Sequence, residues 1–477
     1  MVRDSKEDFN RWIFYTYLTL LVLLPISDAG GILATSIVEI WIFTSAITWL
    51  LLLAAGRVKL SASIYKSWPI VASFIVAVLW THLQGARLPQ SFLGWLSPAA
   101  LEIHDVTHSP LTLSLDLQAT SEQTLRSGAF VVLFCLSLVL LASTRQIMSL
   151  FTVLVASGVF QASFGLTMVA TGLEYGLFEP KQSHHGVVTG TFADPDQLAG
   201  YLCACISIAL GLLFSTKSTA RGSVNDYILS SKITQPTTWL VVALAVMMTA
   251  LVLTHSLVAN VALFVGLAIS LIVYSIRIQG ATYRSVLTIA IVLGIQIIGT
   301  LAHGEPLWDR LVSAVEDGTR HAKVALSVID DFPLTGSGAG SYAAMSATYH
   351  SIKPTSDSIV NPVSDYLRIM AGSGPLILIL LGFALCQSLW VGAKSMDPST
   401  HKLESGLWLG ATMTLMITLV QSAFGSYLQL NAIAGTLMIA LAIQWSLARI
   451  VRQHQHIPSR ASPLALRRRI PSNLPPR

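Results

Sequence analysis

Arg320, Lys323 and Ser327 recur at intervals of three and four residues, in a stretch that also brings Ala325, Val328 and Ile329 together. That spacing predicts a helix from Arg320 to Asp330, with cations along one face and an apolar stripe along the other. Two cations on a surface helix suit a diphosphate, because a guanidinium meets phosphate oxygens as a fork. A solvated polar edge reads equally well from the same residues. The following Pro333-Leu334-Thr335-Gly336-Ser337-Gly338-Ala339-Gly340 lacks the Lys-Ser/Thr ending of a nucleotide loop and is expected to be a flexible turn. In Gly190 to Leu202, Asp194 is expected to cap a helix, with Pro195 at its first position and Gln197 closing a capping box. The N–H groups of such a terminus also suit a phosphate. Lys181, His184 and His185 precede it, with no third ligand at a telling spacing, so no metal is expected. His255, in the notch Thr254-His255-Ser256, and Asp365, heading a later apolar run, are ionisable groups near membrane depth. Asp365 reads either as a general base or as a helix cap.

The elements that must carry these residues are apolar. Of 477 residues 53% are hydrophobic and 11% charged, and mean hydropathy is +0.65. A soluble chain of this length needs a charged surface, on the order of 25% of its residues. The composition therefore excludes a soluble multidomain enzyme, a disordered protein and a secreted disulfide scaffold, and predicts an all-α polytopic membrane protein. Twelve runs approach the length a membrane helix needs: 11–27, 32–55, 67–84, 127–143, 147–171, 197–215, 237–254, 256–275, 285–302, 365–393, 404–424 and 427–449. The notch at 254–256 leaves eleven as the alternative. With the N-terminus inside, alternate loops collect most of the 29 basic residues on the inner side, as positive loops require. Both termini are then expected to be cytoplasmic, and the chain is expected to form one polytopic domain, 1–477. The first run resembles a signal peptide, but eleven more follow and none needs a removable leader.

Two outer loops exceed a simple turn, 85–126 and 303–364. In the first, Trp95 reads as an interfacial anchor, and alternation at Leu111, Leu113, Leu115 and Leu117 predicts a short extended segment. The second is too long to be idle and carries most of the exposed polar chemistry, so if the protein is an enzyme its site is expected on the outer face. The tail 450–477, with Arg467-Arg468-Arg469, is expected to face anionic lipid rather than nucleic acid. Cys135, Cys203, Cys205 and Cys386 all lie in apolar runs and read as core residues.

Several stretches occur in an order that resembles the O-antigen ligase / O-antigen polymerase (Wzy-type) superfamily of polytopic glycosyltransferases. Ser114-Leu115-Asp116 with Ala119-Thr120 resembles its "SLDP..AT" segment, and Gly190 to Leu202 its "GTF.NRN..A.YL" signature. Leu253-Thr254-His255-Ser256 resembles "LT.SRG", Arg320 to Gly340 resembles "R...W..A......PL.G.G.G", and Asp365-Tyr366-Leu367 the end of "HNDYL". The resemblance covers about 95–376. It implies an undecaprenyl-diphosphate-linked glycan as donor, a glycan or lipid A core as acceptor, transfer on the periplasmic face of a bacterial inner membrane, and neither metal nor cofactor. Other polysaccharide-assembly proteins are implied as partners. It also implies arginines on the diphosphate, and Arg320 is kept. The family's two Asn positions are Asp194 and Asp196, its "SRG" Arg is Leu257, its "HNDYL" His is Val363 with Ser364 after it, and a following acid is Gly372. The roles expected are therefore Arg320, Arg310 and Lys323 on the diphosphate, with His255, Asp194 and Asp196 also at the substrate, and Asp365 or His350 nearest the acceptor. A catalytically impaired family member acting as an assembly partner, and a transporter, are the competing readings. Against the transporter, charges within the spans are scarce, Glu39 being the main one.

Overall fold

The structure is a computed structural model that describes residues 2–29, 31–58, 62–173, 175–177, 181, 184–219, 236–277, 294, 307–350, 364–396 and 402–455; for some of these, among them 2–10, only the backbone is described. It is all-helical, with no strand among the described residues. Among the described residues, seven helices are long and apolar enough to cross a membrane: α2 (Gly31–Ala54), α7 (Leu117–Leu140), α8 (Thr144–Thr171), α9 (Pro195–Thr219), α15 (Pro375–Ser395), α16 (Lys402–Phe424) and α17 (Asn431–Gln455). Four shorter apolar stretches among the described residues fall on α1 (Val2–Ser27), α4 (Trp68–Gln84), α10 (Pro236–Leu253) and α11 (Leu257–Arg277), with the short α3 (Ala62–Lys66) preceding α4. Of the expected run 285–302 only residue 294 is described, and the tail beyond 455 lies outside the described residues. The notch at 254–256 does divide two helices, because Ser256 caps the second by accepting a hydrogen bond from Ala259 N at 3.2 Å.

Lipid offers apolar side chains no incentive to pair, so the bundle packs through small residues. The centre is α9, almost wholly buried. It crosses α16 so closely that a Cβ on Gly211 would lie 2.6 Å from Gly410 Cα. Gly406 and Gly410 form a small-xxx-small stripe facing Gly211 and Ser215. By contrast α2 and α15 are peripheral and expose most of their apolar surface.

The tenth expected span is corrected. It is two helices, α14 (Asp365–Ser373) and α15, broken at Gly374 with φ +80°. Asp365 thus begins a short helix rather than a membrane span. The first outer loop is also mostly helical: α5 (Gln90–Leu96), α6 (Pro98–Thr107) and the first turns of α7. Its leucine alternation gives no strand. The 111–116 segment is irregular, with Leu113 buried and Leu115 N donating to Ser337 O at 2.9 Å. The helix expected from Arg320 starts earlier, as α12 (Leu307–Asp331), and α13 (Tyr342–His350) follows. The apolar stripe of α12 is as expected: Ala325, Val328 and Ile329 are buried in a small second core with Leu93, Ala100 and Leu113.

The glycine-rich turn is not a flexible loop. Thr335, Ser337, Ala339 and Ser341 are buried. Gln84 grips it from α4, donating to Thr335 O at 2.7 Å and accepting from Ala339 N at 3.1 Å. Ser337 N and Gly338 N each donate at 2.8 Å to Ala371 O and Gly372 O of α14. Positive φ at Gly336, Gly338 and Gly340 lets the backbone fold against these partners, where a Cβ on Gly338 would sit 2.8 Å from Ser114 Cα.

Candidate functional site

The connections at one end of the bundle converge through hydrogen bonds between segments distant in sequence. Thr191 Oγ1 donates to Pro25 O at 3.4 Å, Val188 N to Leu253 O at 3.2 Å, and Asp365 N to Gly425 O at 3.2 Å. Among them lies a cavity of about 180 Å³ lined by Ser27, Asp28, Gly31, Thr35, Arg126, Gln197, Ser426, Gln429 and Leu430.

Asn431, the first residue of α17, ties this wall together. Its Oδ1 accepts from Arg126 Nε at 3.1 Å and Nη2 at 2.9 Å, while its Nδ2 donates to Ser27 Oγ at 3.0 Å and Thr35 Oγ1 at 3.3 Å. A helix N-terminus has N–H groups with no partner in its own helix. Here Asp28, between α1 and α2, supplies the acceptors: Oδ1 takes Asn431 N at 2.8 Å and Oδ2 takes Ala432 N at 3.0 Å. Burial pushes Asp28 up to about 6, against the pull of those two N–H groups and the Arg126 charge.

Across the turn that joins α16 to α17 stands Asp365, buried, its Oδ2 accepting from Leu428 N at 2.9 Å. Burial raises it to about 6, with that N–H and the Arg368 charge opposing. Arg368 is lowered to about 10, first by burial and also by the Arg126 charge, while Asp365 acts the other way. Its Nη1 is buried with no hydrogen-bond partner. Two arginines from different helices thus feel each other at this end of the bundle, and each has a carboxylate beside it.

The residues expected from the sequence are distributed unevenly. Asp365 is beside the cavity, behind its turn. Asp194 caps α9 as expected, accepting from Asp196 N at 2.7 Å, whereas Gln197 lines the cavity. Asp196 is exposed at the same helix start, and its charge acts on Tyr427, in the 3-10 turn Tyr427–Gln429 beside the cavity lining. His255 is exposed in the notch with φ +58°. Lys323 is exposed, opposite the buried stripe of α12, and is not among the cavity residues. The side chains of Arg310, Arg320 and His350 lie outside the described residues.

Sequence reasoning passed over Asp28, Arg126, Arg368 and Asn431. The signal was available for two. Arg126 stands one residue before the expected span 127–143, whose helix begins at Leu117, and Arg368 stands inside the run 365–393, so each is an ionisable residue on a membrane-depth helix. Asp28 and Asn431 carry no local signal, because their partners are about 400 residues away in sequence. No protein-family model matches the chain, and no curated protein matches its sequence. The resemblance to the O-antigen ligase and polymerase superfamily therefore stands on its short stretches alone.

Proposed function

We propose that the chain transfers a glycan from a polyprenyl-diphosphate carrier on the outer face of a bacterial inner membrane, as an exopolysaccharide or O-antigen polymerase or as an O-antigen ligase. The observation that carries this reading is Arg126, held by Asn431 in the wall of a small polar cavity at one end of an apolar bundle. Two of its guanidinium nitrogens are spent on Asn431, which fixes the plane of the fork. A diphosphate leaving group requires positive charge that is already in place when the bond to the sugar breaks. The cavity is below the usual volume of a drug-sized site, so it suits a headgroup, with the oligosaccharide remaining on the aqueous side and the prenyl chain in lipid. The roles expected for Arg310, Arg320 and Lys323 pass in this reading to Arg126.

A deletion strain tests the reading. Loss of high-molecular-weight polysaccharide with accumulation of its lipid-linked unit is expected. Complementation by the wild-type gene, and failure by Arg126→Gln at equal protein level, would support the assignment. A deletion that leaves polymer and lipid-linked intermediates unchanged would end it.

A further inference from the structure

A glycosyl transfer also needs a group to take the proton of the acceptor hydroxyl. Asp365 is set back from the cavity: it is 2% exposed, and its Oδ2 is engaged by Leu428 N behind the turn whose Ser426, Gln429 and Leu430 form the lining. Asp28 instead lines the cavity itself, together with Arg126. Each of its oxygens accepts one backbone N–H from α17, and a carboxylate oxygen has a second lone-pair direction to offer.

We propose that Asp28 is the general base of the transfer, taking the acceptor hydroxyl's proton at the cavity wall; this rests on the reaction proposed above. The acceptor oxygen bonds to the anomeric carbon as that carbon's bond to the diphosphate oxygen breaks. The hydroxyl proton passes to Asp28, and the electron pair of the broken bond leaves with the polyprenyl diphosphate, whose charge Arg126 meets. Asp28 then returns its proton to water. Burial supports the role, because a carboxylate raised to about 6 is ionised at neutral pH yet holds a proton far better than an exposed one. The charged or titratable groups facing it are Arg126 from α7 and the Tyr201 phenol from α9. α2 contributes Thr35 to the cavity, with Glu39 acting on Arg126, and α17 contributes backbone N–H groups.

The test uses the full-length protein in proteoliposomes, supplied with the lipid-linked glycan that accumulates in the deletion strain. Asp28→Asn is expected to slow turnover about 100-fold or more while binding undecaprenyl diphosphate as the wild type does. The wild-type rate should fall below about pH 6, the residual rate of Asp28→Asn should lack that fall, and Asp28→Glu should restore part of both. Wild-type turnover by Asp28→Asn, or the same acid limb in that variant, overturns the assignment. So does joint loss of binding and turnover in both variants, which would leave Asp28 as a helix cap only. If no lipid-linked glycan accumulates on deletion, the reaction itself falls, and the base with it.

Discussion

Asn431 concentrates several constraints in one side chain: it fixes the Arg126 fork and fastens the α1–α2 connection. Asn431→Ala would leave Ser27 and the guanidinium without these partners. A loss of about 1–3 kcal/mol is expected, seen as a lower detergent melting temperature, and polymer should fall as it does for Arg126→Gln. Asp365 supports a separate prediction from its pH dependence. Its folded value, about 6, lies above the ordinary 3.8, so the folded state holds the proton more tightly than the unfolded chain. The stability that proton contributes is present below about pH 4 and is lost as pH rises through 6. At neutral pH the loss is about 3 kcal/mol. Asp365→Asn should therefore reduce the fall of the purified protein's melting temperature between pH 4 and 7, the remainder coming from Asp28, which is raised to about 6 as well. An unchanged slope would remove Asp365 as its source.

The crossing of α9 with α16 depends on the absence of side chains. Gly410→Leu would force a branched chain against Gly211 and Phe151. Overpacking of this kind costs about 1–3 kcal/mol, and the expected readout is lower yield and earlier unfolding, with Gly382→Leu as the contrast because its position is open. The glycine-rich turn acts at the same scale. Gly338→Ala combines a disfavoured φ of +112° with a collision at Ser114, so it should release α14 and raise amide exchange around 365–373. A turn that was merely a flexible connection would tolerate the change.

For the whole molecule, the reading places the cavity end of the bundle outside and both termini inside. In a cysteine-free background, a membrane-impermeant maleimide should label a cysteine at exposed Lys323 in intact spheroplasts, and one at exposed Arg145 only after lysis. The reverse pattern would put the cavity on the cytoplasmic side, where a periplasmic transfer could not use it.

Composition and periodicity made the helices and their apolar faces legible, because a lipid-facing helix must satisfy its own backbone and can show only apolar residues outward. The cap at Asp194, the helix break at 254–256 and the buried stripe of α12 follow from rules confined to a few neighbouring residues, so they too could be read locally. The break at Gly374 and the burial of the glycine-rich turn could not, since both depend on backbone partners supplied by other segments. The candidate site was hidden for the same reason. Asp28, Arg126 and Asn431 come from three distant stretches; Asp28 and Asn431 carry no local signal, and the charge of Arg126 on an apolar helix does not say which residues it meets. What only the tertiary structure decided is that these groups share one wall: desolvation and hydrogen bonding act through space, and the chain records them only where it folds back on itself.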